Sequence, residues 1–410
     1  MPTRPPLALL TLAFVAFVSL GLPDGVLGVA WPSMRHDLRV EVGHLGWLLI
    51  ASMIGYLSSS FLSGWLVARL GLGRLLVASS AMILVVLIVF AVGPSWWLIA
   101  GVAVISGMGG GAIDAAINSY AAARFSPMVI NWLHACYGIG ATIGPALMTA
   151  VLATGQSWRW GYALLAAVIA AMTVAFSATR QAWDADGAPG AGPPGAGPSP
   201  TPSIAPVALT VALRRPGVWA GALWFFVYTG IEVTAGQWSY TLLTEERGVN
   251  ARTAGIAIST YWACLTVGRI TFGLAAARFP PGLLLRLTTL LLPLCACVFW
   301  LNMGISASMV SLAAMGFLLA PMFPLMVAMT PDRVGRDFAT HAIGLQIAAA
   351  ALGAAIIPAA CGALAQTRGL AAIGPYLLAS CLVLLAVYAI LHVASEKRRP
   401  TVAIAEVPAS

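Results

Sequence analysis

The chain has 410 residues, of which 60% are hydrophobic and only 8% are charged, and its mean hydropathy is +0.92. This charged fraction is about a third of the roughly 25% usual in soluble domains, so the composition excludes an ordinary soluble protein and indicates an integral membrane protein. The net charge of +8 would also suit a nucleic-acid-binding protein, a class that the positions of the basic residues argue against.

Twelve apolar segments are each long enough to cross a hydrocarbon core of roughly 30 Å as a helix. In chain order, the predicted spans are 8–32, 44–68, 75–93, 96–122, 131–153, 159–178, 217–243, 253–277, 281–301, 306–329, 339–363 and 371–393. Small residues follow the first apolar segment, as they would in a signal peptide, but the further spans favour an uncleaved first helix.

The basic residues are distributed unevenly between the two sides of this predicted topology. If the amino terminus is inside, the cytoplasmic side carries Arg4, Arg69, Arg74, Arg124, Arg180, Arg214, Arg215, Arg278, Arg286, Arg333, Arg336, Lys397, Arg398 and Arg399. The outside carries Arg35, Arg39, Arg159, Arg247, Arg252 and Arg368. This is the positive-inside pattern, so both termini are expected in the cytoplasm. The positive charge therefore reflects topology, and we expect no nucleic-acid partner.

A segment rich in Pro, Gly, Ala and Ser, "DADGAPGAGPPGAGPSPTPS", separates the first six spans from the last six. Such a composition cannot bury a core and is typical of a flexible linker. The predicted organisation is an N-terminal six-helix bundle over 1–180, a cytoplasmic linker over 181–215, a C-terminal six-helix bundle over 216–394 and a cytoplasmic tail over 395–410.

Similar features recur in the two halves at nearly constant spacing. Offsets of 208, 209 and 207 residues separate, respectively, Asp24 from Glu232, Gly64 from Gly273, and His134 from His341. Near-identical offsets indicate a duplication with parallel repeats, an arrangement in which the substrate site lies near the bilayer midplane between the halves.

The segment "GWLVARLGLGR" between the second and third spans resembles the G-x-L-a-D-r-x-G signature of the major facilitator superfamily, and the resemblance covers essentially the whole chain. Gly64, Leu66, Arg69 and Gly71 match, whereas Ala68 stands where the family usually has Asp. The interhelical latch that the family forms with that Asp therefore has no carboxylate at this position. The resemblance implies an all-α membrane protein with twelve transmembrane helices in two pseudo-symmetric six-helix bundles.

Four further segments are similar to the fucose/galactose/gluconate proton-symporter branch and its sodium-dependent-glucose-transporter-like relatives. They are "GMGGGAIDAAINSY", "NWLHACYGIGATIGP", "YTGIEVTAGQW" and "YWACLTVGR". In that branch the fourth helix carries G-x-G-x-x-[DE]-x-x-x-N, which Gly109, Gly111, Asp114 and Asn118 match. The resemblance also implies that the first, fourth and seventh helices line the central cavity.

Three acidic residues, Asp24, Asp114 and Glu232, fall inside predicted spans, on the first, fourth and seventh helices. An ionised carboxylate at the bilayer centre costs roughly 2.5 to 3.5 kcal/mol on the insertion scale. A poorly solvated carboxyl group holds its proton more readily, which suits proton coupling. We therefore predict that these three acids couple proton flow to transport; the alternative is that each is a protonated, structural hydrogen-bonding group.

Candidate solute contacts lie near these acids. Asn118 is one helical turn from Asp114 and shares its face, with Gly107 and Gly111 on the same face serving either helix packing or ligand approach. Amides and aromatic rings suit the hydroxyls and apolar faces of sugars, and the predicted solute-binding residues are Asn118, Gln237, Trp238, Tyr261, Trp262 and His134. Packing, interfacial anchoring or an interface role are the alternatives for the aromatic residues and His134. Arg269 lies deep in a predicted span. Its two possible roles are a structural ion pair with an acid and a contact with the substrate.

These features favour proton-coupled uptake of a small polar solute, such as a sugar, polyol or sugar acid, by alternating access. The alternative is proton-driven export of drugs or metabolites, although the fifth-helix export signature is incomplete because Asn131, Leu147 and Met148 stand where it requires Gly. A non-transporting sensor is a weaker alternative, and no catalytic set suggests an enzyme. We expect a monomer in a cell inner membrane, energised by a proton gradient with sodium not excluded.

The six cysteines all fall within predicted helices, where free cysteine behaves as a small hydrophobic residue. Their positions imply no disulfide framework and show no metal-ligand spacing. No metal and no organic cofactor is therefore expected.

Overall fold

The computed structural model describes residues 7–125, 127–186 and 209–396, and their regular structure is helical. The helices are α1 (Leu7–Leu38), α2 (Leu45–Leu70), α3 (Leu72–Val92), α4 (Trp96–Arg124), α5 (Pro127–Ala153), α6 (Trp158–Asp186), α7 (Leu209–Leu213), α8 (Pro216–Thr241), α9 (Ala251–Ala275), α10 (Pro281–Leu301), α11 (Ile305–Leu319), α12 (Met322–Val334), α13 (Arg336–Arg368) and α14 (Ile373–Glu396). Most of the predicted linker, 187–208, and most of the predicted tail, 397–410, lie outside the described residues.

Eleven helical segments of the described chain are long and apolar enough to cross a membrane. The predicted eighth span corresponds to α9, which has 25 residues but is not one of these eleven because polar residues and Arg269 lower its hydropathy. The predicted tenth span is divided into α11 and α12. Pro321 stands at this break, and a proline has no N–H to continue the helical hydrogen bonding.

Helix α6 extends to Asp186, past the predicted end of the sixth span at 178 and the predicted bundle boundary at 180. Tertiary contacts explain the extension: the ring of Trp183 is fully buried and meets Tyr120 edge-on, with ring centroids 5.1 Å apart. One residue further, the Asp184 Oδ1 accepts a hydrogen bond of 2.8 Å from the Gly73 backbone N–H at the start of α3. The end of α6 thus reaches the loop between α2 and α3.

The two halves use the same helix pairings. In the first half α1 packs on α5, α2 on α4 and α3 on α6; in the second, α8 packs on α13, α9 on α11 and α10 on α14. When the spans are counted from the start of each half, the first pairs with the fifth, the second with the fourth and the third with the sixth in both halves. The repeated pairing agrees with the constant sequence offsets between the halves. Helix α9 packs on α11 in the second half as α2 packs on α4 in the first.

The halves contact each other at the end of the molecule that carries the loops 39–44 and 242–250, which we call the closed end. There the backbones approach closely: a Cβ on Gly28 of α1 would lie 2.8 Å from the Gln237 Cα of α8, and one on Gly46 of α2 would lie 2.8 Å from the Ala359 Cα of α13. An ion pair of 2.5 Å joins the Arg35 Nη2 to the Glu245 Oε2.

At the opposite end, which carries the start of α1 and the end of α14, α2 and α13 diverge. At the closed end a Cβ on Gly362 of α13 would lie 3.5 Å from the Gly43 Cα, beside the contact of Gly46. Eighteen residues, or about five turns, separate Gly46 from Gly64, and also Gly362 from Gly344, so each pair lies on one helix face. A Cβ on Gly64 or on Gly344 would meet nothing within 4 Å. We infer a cavity between the halves that opens toward this end, which we call the open end.

Candidate functional site

Asp24 lies near the middle of α1, on the face that packs against neighbouring helices. Gly21 on that face approaches α5 so closely that a Cβ would lie 2.1 Å from the Tyr137 carbonyl oxygen. The Asp24 side chain is nevertheless exposed, and its Oδ2 accepts a hydrogen bond from the Tyr137 hydroxyl. The Asp24 carbonyl oxygen accepts a second bond of 2.7 Å from the Gln237 Nε2. This exposure on a packed face places the carboxylate in the cavity between the halves.

Asp114 lies on α4, with its side chain half-buried. Its Oδ2 accepts a hydrogen bond of 2.6 Å from the Tyr56 hydroxyl of α2, and its Oδ1 accepts one of 2.9 Å from the Asn118 Nδ2 one turn along. Cβ atoms on Gly107 and Gly111 would lie 1.7 Å and 2.5 Å from α2 carbonyl oxygens. Both glycines therefore serve the close packing of α4 on α2.

Glu232 on α8 is buried and has the only basic partner among the three intramembrane acids in the described chain. Its Oε1 lies 3.7 Å from the Arg269 Nη2 of α9, and its Oε2 accepts a hydrogen bond of 2.5 Å from the Tyr228 hydroxyl. The Tyr261 hydroxyl donates a bond of 2.8 Å to the Glu232 carbonyl oxygen. Arg269 is thus the counter-ion of Glu232 in this conformation.

Two of the predicted solute contacts reach the cavity region. Asn118 is half-buried beside Asp114, and His134 on α5 is exposed, with its ring edge-on to Phe17 at a centroid distance of 5.5 Å. His134 is also close enough to Asp114 for their charges to interact. Gln237 is buried at the contact between α1 and α8, where its Oε1 has no hydrogen-bond partner.

The three predicted aromatic contacts pack within the second half instead of facing the cavity. Trp238 is fully buried, and its Nε1 donates a hydrogen bond of 2.8 Å to the Pro358 carbonyl oxygen. Tyr261 is fully buried, and Trp262 is nearly so, packed so tightly that a Cβ on Gly236 would lie 2.5 Å from its ring. In this conformation these rings support α8 and α9 from behind the cavity.

The sequence placed Tyr228 on the same helix face as Glu232, but it did not single out Tyr56 and Tyr137, the tyrosine partners of Asp114 and Asp24. Tyr56 lies in "SMIGYLSSS" and Tyr137 in "HACYGIGA", both inside apolar spans. A tyrosine at such a depth needs a partner for its hydroxyl, and this was the available signal. The partner itself is not readable from the sequence, because Tyr137 and Asp24 are 113 residues apart.

The cavity acids differ in charge compensation. Among the described residues Asp24 and Asp114 make no ion pair, and they are close enough for their charges to repel. A low local dielectric strengthens this repulsion, which protonation of either group relieves. Within the same ranges no group of three His, Cys, Asp or Glu side chains could hold a metal ion. The site therefore contains two carboxylates that are held by neutral hydrogen-bond donors.

Comparisons with known proteins agree with this architecture. The model of the Major Facilitator Superfamily matches the chain over residues 12–243 and 225–409. A curated relative, Bypass of stop codon protein 6 of Saccharomyces cerevisiae, is 24% identical over 283 residues, which are 65% of this chain and 56% of that protein. The chain therefore spans just over half the length of this relative.

Solved transporter structures share the fold at low sequence identity. The nucleoside transporter NupG matches with a TM-score of 0.77 and 13% identity, over 94% of this chain and 100% of its own. A peptide transporter POT matches with a TM-score of 0.71 and 15% identity, over 95% of this chain and 96% of its own. A D-xylose-proton symporter matches with a TM-score of 0.69 and 11% identity, over 93% of this chain and 97% of its own. Identities this low show the fold alone. The family model, in contrast, covers nearly the whole chain, which therefore belongs to the Major Facilitator Superfamily and is a multi-pass membrane transporter, not an enzyme.

Proposed function

We propose that this protein is a secondary active transporter that couples the uptake of a small polar solute, such as a sugar, to proton entry by alternating access. The observation that carries the proposal is the state of Asp24 and Asp114. Both lie at the cavity, deep within membrane-spanning helices, and are held by hydroxyl and amide donors rather than by basic residues. An acid whose charge is not neutralised by a neighbour gains most from taking up a proton.

The proposed topology has twelve spans, with α9 as the eighth and α11 with α12 as the tenth, and both termini in the cytoplasm. The packing of α9 on α11 and the positive-inside pattern support it. In this proposed orientation the closed end faces outward, which corresponds to an inward-open state, and the proposed location is a cell inner membrane. The chemistry at the cavity involves no cofactor besides the ion gradient, and the proposed functional unit is the monomer.

Solute binding and protonation are linked through the same side chains. Asn118 and His134 offer hydrogen-bond donors and acceptors beside Asp114, and a solute hydroxyl could exchange with the tyrosine donors of either acid. Sugars present several hydroxyl groups, and the xylose symporter that shares the fold is proton-coupled by its name. These features support a polyhydroxy solute, in keeping with the sequence resemblance to the fucose/galactose/gluconate branch.

Proton-driven export is the second candidate, and one observation favours it. With Glu232 paired to Arg269, Asp24 and Asp114 leave the cavity with an excess of acidic groups, which suits a cationic solute. The incomplete export signature of the fifth helix argues against this candidate. Sodium coupling uses carboxylate oxygens equally well, so the driving ion is decided by experiment.

Transport into proteoliposomes tests the proposal directly. A panel of sugars, polyols and sugar acids is offered with an imposed pH gradient, with a sodium gradient, and with neither. We expect accumulation of at least one polyhydroxy solute with the pH gradient, which a protonophore abolishes. Accumulation with sodium alone would overturn the proton assignment, and extrusion of cationic drugs without uptake of any polyhydroxy solute would favour the exporter.

A further inference from the structure

Each of the three intramembrane acids accepts a hydrogen bond from a tyrosine hydroxyl. Tyr137 of α5 serves Asp24 of α1, Tyr56 of α2 serves Asp114 of α4, and Tyr228 serves Glu232 within α8. Only the third acid also has a basic partner, at 3.7 Å. We propose that Tyr137 and Tyr56 are positioning residues that set the pH at which Asp24 and Asp114 exchange protons with the cavity.

Their chemistry suits the role because a phenolic hydroxyl is a neutral donor. It orients the carboxylate and favours its ionised form, yet it leaves the negative charge in place, so the acid can still accept a proton. An arginine in the same position would neutralise the charge and hold the acid ionised throughout the cycle. Two carboxylates with neutral donors therefore remain titratable, and their tyrosines determine the pH range in which they titrate.

Tyr137 also has a position that links the two halves. Its helix packs on α1, where a Cβ on Gly140 would lie 1.9 Å from the Val18 carbonyl oxygen. The same helix packs on α9 of the other half, where a Cβ on Gly138 would lie 2.3 Å from the Thr266 Oγ1. Tyr137 therefore lies on a helix that contacts both halves.

The groups that face these acids come from five helices. They are Tyr56 on α2, Asp114 on α4, His134 and Tyr137 on α5, Tyr228 and Glu232 on α8, and Arg269 on α9. Tyr162 differs from the other tyrosines because its hydroxyl contacts the Met34 Sδ, at 3.6 Å, and no acid. It is a buried tyrosine outside the acid network and provides a matched control.

The inference rests on the proposed proton coupling but can be tested without transport. Infrared spectroscopy follows the protonated carboxyl band of the purified full-length protein as the pH is varied, and Asp24→Asn and Asp114→Asn identify the two contributions. A hydrogen bond to a charged group contributes about one pH unit or more to such a titration. We expect Tyr137→Phe to move the Asp24 midpoint about one unit to higher pH, and Tyr56→Phe to do the same for Asp114.

The controls separate positioning from general damage. Tyr162→Phe should leave both midpoints unchanged. In the Asp24→Asn background, which lacks the Asp24 carboxyl band, adding Tyr137→Phe should not shift the remaining titration. Unchanged midpoints in both Tyr137→Phe and Tyr56→Phe, or an equal shift in Tyr162→Phe, would overturn the inference. Shifted carboxyl titrations in a protein whose uptake ignores the pH gradient would refute the proposed function and leave the positioning role standing.

Discussion

At the scale of single residues, the partner of each acid distinguishes its role. Glu232 faces a guanidinium, and breaking a buried ion pair costs stability because it leaves the other charge unpaired. Asp24 and Asp114 are held by neutral donors, so protonation leaves no unpaired cation behind. Glu232 therefore has the more structural environment of the three, and the two acids of the first half are better suited to move protons.

Asp114→Asn is expected to abolish solute accumulation driven by a pH gradient while preserving exchange of solute across the membrane. The amide cannot take up a proton, but it can keep hydrogen bonds to Tyr56 and Asn118. Counterflow and gradient-driven uptake in proteoliposomes measure the two activities separately. Asp332→Asn, at an exposed position outside the cavity, is the control and should keep both. Wild-type accumulation in Asp114→Asn would remove this acid from proton coupling.

At the scale of helices, small residues determine which elements approach each other. A Cβ on Gly55 of α2 would lie 1.9 Å from the Val104 carbonyl oxygen of α4, and such small residues let membrane helices pack backbone to backbone. Next to the loop between α2 and α3, a carboxylate from another helix also contributes to packing. Ala68 stands where the resembled signature has an acid, while the Asp184 carboxylate of α6 accepts a hydrogen bond from the Gly73 N–H in the first turn of α3. An acid from another helix thus contacts the chain directly after this loop.

Gly46 and Gly64 provide a paired test of the opening between α2 and α13, because they lie on one face of α2 five turns apart. Gly46→Val should force α2 away from Ala359 and lengthen the distance between spin labels placed at the exposed closed-end positions 39 and 368. Gly64→Val, which enters open space, should leave that distance unchanged. Equal distances in both variants would contradict the described contact between the helices.

At the scale of the whole molecule, a few contacts hold the two halves together at the closed end. Arg35 of α1 and Glu245 after α8 form an ion pair there, and the His36 Nε2 lies 3.2 Å from the Glu245 Oε1. Gln366 of α13 donates a hydrogen bond to Glu41. The proposed alternating-access cycle requires these contacts to break when the opposite end closes, so their strength would set the balance between the two states.

Glu245→Gln should shift this balance toward the state open at the present closed end. The side chains of Arg35 and Glu245 are 20% and 17% exposed, so the pair is worth about 1 to 2 kcal/mol, more than a surface pair. This corresponds to a roughly five- to thirty-fold change in the population ratio, measurable with the spin labels at 39 and 368. Glu246→Gln, at the exposed neighbouring position, is the matched control. An unchanged ratio in Glu245→Gln would exclude this ion pair as a determinant of the closed state.

Much of the element pattern was predictable because a membrane imposes length and hydropathy on every span. The misjudged boundary is one at which tertiary contacts override this signal. Helix α6 continues past 178 because Trp183 and Asp184 find partners on other helices, whereas the eighth span, predicted at 253–277, is present as α9. The sequence could not distinguish Trp238 and Tyr261 from residues that line the cavity. Their burial depends on tertiary packing, because Trp238 of α8 contacts α13 and Tyr261 of α9 contacts α8.

The sequence by itself determined the class of protein, the two-half organisation and the three acids within the spans, because hydropathy, charge and repeat spacing are properties of position along one chain. Only the tertiary structure decided which acids are neutralised, which tyrosines hold them and which end is open. Those outcomes depend on side chains far apart in sequence, such as Tyr56 and Asp114, 58 residues apart, or Arg35 and Glu245, 210 residues apart. Such partners meet only when packed helices bring them within a few ångströms.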